Sequence, residues 1–176
     1  RGRHAWIACL MAAWACAAHA ETPTLFGVAF DPGFEYKVRK VEDRRSGPGT
    51  IAVTQLLHVE VADPAGGAPR KLAMGVVYVA PQGASNTVMQ EAFDNSTSEL
   101  VAKPGTRDTA RFEVDGFPFH FIDGPLQDGD FPERMSIGGV VNGALLRLSV
   151  MAADTALLTP ELAQRLKAVK LDYAAL

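Results

Sequence analysis

Beyond residue 20 the chain has no cysteine and no tryptophan. Cys9, Cys16, Trp6 and Trp14 all fall in the first twenty residues. A domain made of residues 21–176 therefore has no disulfide, no thiolate nucleophile and no cysteine metal ligand. It must be held by its core alone, and its length is enough to bury most of its apolar surface in a single unit. A basic excess is also missing. The chain has 17 basic and 20 acidic residues, a formal charge of −3; without Arg1 and Arg3 the balance is 15 to 20, or −5. Nucleic-acid binding draws most of its affinity from a basic surface, so that class is not expected. No apolar run reaches the roughly 20 residues needed to cross about 30 Å of hydrocarbon. A membrane span after residue 20 is not expected either. No internal repeat, phosphate-binding loop, dinucleotide fingerprint or G-x-S-x-G elbow occurs, and no cofactor is implied.

What is present begins with an export signal. Arg1 and Arg3 precede an uncharged stretch from Ala5 to Ala18, and Ala18-His19-Ala20 fits the small-x-small requirement of a signal peptidase. Cleavage is expected after Ala20, leaving one extracytoplasmic domain over residues 21–176 in the periplasm or outside the cell. A lipoprotein acylated at Cys16 is the less expected alternative. Ala13 stands where a lipobox carries leucine, and bulky Trp14 follows it.

The rest of the chain is punctuated by turn residues at short intervals, with alternating runs between them. Strands are predicted over Thr24–Phe30, Glu35–Asp43, Thr50–Ala62, Lys71–Ala80, Ala110–Val114, Phe117–Ile122, Met135–Val141 and Ala144–Met151. In the third, Ile51, Val53, Leu57, Val59 and Val61 share one face, and Thr54, His58 and Glu60 the other. In the fourth, Leu72, Met74, Val76 and Tyr78 share one face while Val77 and Val79 occupy the other. Burial on both sides is expected there. Asp115-Gly116 and Asn142-Gly143 suit two-residue hairpin turns, because both residue types accept positive φ. Thr159-Pro160-Glu161 starts a helix, and Leu162, Leu166, Val169 and Tyr173 form its apolar stripe. Between Pro81 and Arg107 the pattern is weak. Ser85 can cap a short helix carrying Met89 and Phe93, whereas Asn95-Ser96-Thr97-Ser98 and Pro104-Gly105 read as loop. The predicted fold is α+β: an antiparallel sheet of about seven or eight strands, curved or sandwich-like, with a C-terminal helix on it. A closed up-and-down barrel with the helix outside is the alternative.

Few residues can carry chemistry. His58 and His120 are the two histidines outside the signal. His58 shares a strand face with Glu60, and His120 precedes Asp123 by three residues. Each His–carboxylate pair is a candidate for acid–base work or, with a further acid, for metal binding, but partly buried structural histidines are the expected reading. Asp123, Asp128, Asp130 and Glu133 put oxygen ligands on a Gly-containing loop, a weak candidate for calcium because the spacing departs from the EF-hand pattern. Lys37, Arg39, Lys40, Arg44 and Arg45 surround Glu42 and Asp43. Mixed charge of this kind protects an edge strand from aggregation. Ser136 and Ser149 sit in strand patterns with no base near them in sequence. The function expected from these residues is an exported, non-enzymatic binding or protein-interaction module with a protein partner. A carrier of a small apolar ligand is one alternative. A small hydrolase or metal-dependent enzyme using His58 or His120 is the other.

Overall fold

The computed structural model describes residues 25–126 and 129–176. The export signal, Thr24 and Asp128 lie outside these residues. Seven strands form one open antiparallel sheet: β2 (Lys37–Arg45), β3 (Thr50–Val61), β4 (Arg70–Pro81), β5 (Asp108–Val114), β6 (Phe117–Pro125), β7 (Glu133–Val141) and β8 (Ala144–Ala152). Their order is β2-β3-β4-β8-β7-β6-β5, and every pairing is antiparallel. The edges β2 and β5 do not meet, so the α+β sheet is correct and the barrel alternative is not. The first expected strand shrinks to β1 (Val28–Ala29), which pairs with β9 (Lys170–Leu171) in a separate two-stranded ladder. Both predicted hairpin turns form, with Asp115 and Asn142 at φ 50° and 51° and Gly116 and Gly143 at 82° and 80°. These paired left-handed residues give the turn the twist of its strands.

The sheet has two unlike faces. One, the core face, carries Val53, Leu57, Leu72, Met74, Val76, Phe119, Phe121, Ile137, Leu146, Leu148 and Val150 in one continuous apolar cluster. Helix α2 (Pro160–Lys167) closes it with Leu162 and Leu166, joined by Leu25, Val28, Phe30 and Val169. The Thr159 hydroxyl accepts from the Leu162 amide, and Glu161 and Lys167 sit at the dipole ends they complement. The stripe does not continue to Tyr173. The helix stops at Lys167 because residues 170–171 are drawn into β9. Tyr173 is instead exposed, and its hydroxyl donates to Asp115 at 2.8 Å. Ile51, expected inside, overhangs the sheet and is exposed.

The opposite face is covered by helix α1 (Asn86–Val101), which lies against β6, β7 and β8. Ser85 caps it, its hydroxyl accepting from the Val88 amide at 3.2 Å. The helix is longer than expected. Asn95 to Ser98, read as loop from their composition, are helical. Met89, Phe93 and Thr97 form its buried stripe at four-residue spacing, so docking overrides weak intrinsic propensity. Gly138 on β7 is the seat for Phe93, where an added Cβ would come within 3.1 Å of the ring. The strand buried along its whole length on both sides is β7, with only its first residue, Glu133, half-buried. β4 was expected to be doubly buried. It keeps Ala73 and Gly75 covered but leaves Val77 38% exposed, because α1 does not reach that far.

Candidate functional site

Register fixes which polar side chains share the α1 face. Thr54, Val77, Arg147, Gly138, His120 and Arg111 form one row across β3, β4, β8, β7, β6 and β5. The next row along the strands holds Leu56, Gly75, Ser149, Ser136, Ile122 and Thr109, and the next His58, Ala73, Met151, Arg134 and Gly124. His58 and His120 thus share a face but not a site. Three strands separate them, four steps of about 4.8 Å or roughly 19 Å across the sheet, and they stand two rows apart along it as well.

Neither histidine is joined to the carboxylate suggested by sequence proximity. The His58 Nε2 lies 3.2 Å from Glu42 on β2, and Glu60 instead pairs with Arg39. Hydrogen bonding and charge from Lys40, with a further hydrogen bond from His58, hold Glu42 below the ordinary carboxylate range. Among the described residues, four of the five β2 cations, all but Lys37, are likewise occupied. Arg39 meets Glu60, Lys40 and Arg44 meet Glu42, and Arg45 meets Asp43. Asp123 and Glu133 are brought together by Arg107, which binds both carboxylates and lies 2.6 Å from Asp123. Asp130 is exposed on the loop before β7, and Asp128 lies outside the described residues. Among the described residues no group of three or more His, Cys, Asp or Glu is placed to hold a metal ion.

His120 opens instead into a cleft of about 540 Å³ between α1 and the β5–β6 hairpin. Asp94, Thr97, Ser98, Val101, Arg111 and His120 line it. The Phe93 ring meets the imidazole edge-on at 5.6 Å between centroids. Burial pushes the His120 pKa down, Arg111 adds in the same direction, and Asp94 opposes them. Its surroundings therefore favour the neutral imidazole. The Thr97 hydroxyl is buried, the residue being 3% exposed, and has no hydrogen-bond partner among the described residues. Ser98 spends its hydroxyl on the Asp94 carbonyl, 2.9 Å away, as helical serines commonly do. The cleft therefore offers donors without an activated nucleophile. A second, smaller cleft of about 210 Å³ lies beside α2, with Asp108, Asp123 and Lys167 at its rim.

Sequence reasoning passed over two residues on this face. Arg134 on β7 is 7% exposed and its Nε has no hydrogen-bond partner among the described residues. Arg147 on β8 is half-buried and lies 6.0 Å over the Phe93 ring. Burial pushes both guanidinium pKa values down, and Arg134 adds to the effect at Arg147. The signal that could have found them is the run Ser136, Gly138 and Gly139. Small residues inside a strand mark the close approach of another element, here α1 over Gly138, and imply that the neighbouring arginines are covered.

No family model matches the chain, and no curated protein matches it in sequence. Among the described residues no helix is long and apolar enough to cross a membrane.

Proposed function

We propose that this chain is an exported, non-enzymatic binding module of the bacterial periplasm, and that the cleft between α1 and the β5–β6 hairpin is its binding surface. The observation that carries the reading is the Thr97 hydroxyl, buried and unpartnered beside His120 and Arg111. A buried hydroxyl without a partner costs about 1–3 kcal/mol, a cost that a hydrogen-bonding ligand removes. The cleft volume falls within the range of small-molecule sites, about 300–1,000 Å³. Its lining favours a small polar ligand or a protruding side chain of a partner protein over an apolar cargo. The space between the sheet and α2 is filled by Leu162 and Leu166 and leaves a carrier reading little support. Export is supported by the grammar of residues 1–20.

NMR titration of the isotope-labelled protein with a set of small polar fragments tests this. Binders should shift the amides of Asp94, Thr97, Arg111 and His120, and Thr97→Val with Arg111→Gln should abolish the shifts. Shifts that cluster around His58 or α2 would contradict the assignment. Turnover of an ester or amide that disappears in His120→Gln would favour the hydrolase reading. Mass spectrometry of the exported chain should find Glu21 at its N-terminus, and an acylated Cys16 would overturn that part.

A further inference from the structure

The α1 face holds a second polar cluster whose charge has no carboxylate partner among the described residues. Arg134 and Arg147 stand on neighbouring strands, two rows apart, and Ser136 and Ser149 face each other directly in the row between them. Covers approach from both ends. Phe93 of α1 sits on Gly138, beside Arg147. At the other end Phe131, just before β7, lies over the sheet, its ring reaching His58 across β8 and β4, 6.1 Å between centroids. Arginine cannot shed its proton to escape burial. Among the described residues neither guanidinium has a carboxylate partner, and each is disfavoured by burial. A buried and a half-buried cation flanking two hydroxyls form an arrangement that a bound anion completes. The planar guanidinium fork and serine hydroxyls supply the donor geometry that oxyanions accept.

We propose that Arg134, Ser136, Ser149 and Arg147 form a binding site for the oxyanion group, phosphate or carboxylate, of a small ligand. The site is separate from the α1–β5–β6 cleft and does not depend on its role.

The test is the melting temperature of the whole chain in inorganic phosphate and, separately, in citrate, each compared with sodium chloride at matched ionic strength. A saturable rise with at least one oxyanion is expected. Saturation by phosphate with citrate inert assigns a phosphate ligand, and the reverse assigns a carboxylate. Arg134→Met should fold, because it keeps the side-chain volume and removes a buried charge, and it should lose the rise. Ser149→Ala should weaken the binding about fivefold, the loss of one hydrogen bond. Arg147→Gln provides a second charge deletion with the same expected loss. Thr97→Val should leave the rise intact, so failure of the cleft reading and failure of this site are distinguishable. If both oxyanions act on the parent protein as chloride does, or if Arg134→Met and Arg147→Gln keep the full rise, the proposal is overturned.

Discussion

The two faces of one sheet obey different rules. On the core face the side chains of β3, β4, β6, β7 and β8 are almost all apolar and interlock with α2; Tyr78 sits at the margin with its hydroxyl, and Gln55 is satisfied by the Phe26 amide at 2.8 Å. On the α1 face the same strands carry Arg134, Ser136, Arg147, Ser149 and His120, partly or wholly covered. Burying polar groups without partners is unfavourable, so that face is not arranged for stability alone. The apolar cluster of Met89, Phe93 and Val140 is small beside the core cluster and serves to seat α1. The contrast teaches where to look for function. The core face makes the fold, and the α1 face uses the rigidity this provides to hold uncompensated polar groups.

Substitutions can break this contrast, and the core face should suffer most. Phe121→Ala removes a ring that is 1% exposed, and denaturant melts should show a loss of about 3–5 kcal/mol. Gly138→Val should cost less, about 1–3 kcal/mol, by pushing against Phe93 and the Leu146 carbonyl. Its mark should be faster hydrogen exchange in α1 with little change in α2.

These two sites also show what the sequence made legible. Phe121 belongs to an alternating run whose parity was plain, and so do Leu72 to Tyr78 and Leu146 to Val150. Period-2 patterning, two hairpin turns and a capped helix start define the core face without tertiary information. Gly138 becomes meaningful only when Phe93 lands on it, a contact between residues 45 positions apart in sequence. For the same reason Asn95 to Ser98 read as loop. Their helical state is imposed by the docking of Met89, Phe93 and Thr97 on the sheet. The candidate site was half visible. His120 was singled out, but its surroundings come from α1 and β5 rather than from Asp123. Arg134 and Arg147 alternate with apolar residues and so look like solvent-facing positions. Only the sheet order and the covers above them make Arg134 buried and Arg147 half-buried. β9 and the early end of α2 depend on pairing with β1, which no local pattern encodes.

Smaller effects sharpen the comparison. His120 has a depressed pKa in the folded state, so the unfolded chain binds its proton first. Its contribution to stability is complete above the ordinary histidine value of about 6.5 and is lost as pH falls below it. Melts between pH 7.5 and 5 should show this loss, and His120→Gln should flatten it. If the variant keeps the parent profile, the acid sensitivity lies elsewhere. Arg39→Ala on the edge strand should change stability by no more than about 1 kcal/mol, since its pair with Glu60 is half-exposed. A larger loss would mean that the β2 charges do more than shield an edge.

The central claim is that the α1 face keeps buried polar groups at the expense of stability. The thermal melt of the Arg134→Met, Thr97→Val double variant in plain chloride buffer tests it most directly. A higher melting temperature than the parent's is expected, by roughly 2–4 °C for each kcal/mol of desolvation relieved. A melting temperature below the parent's would show that Arg134 and Thr97 stabilise the fold, and would contradict the account.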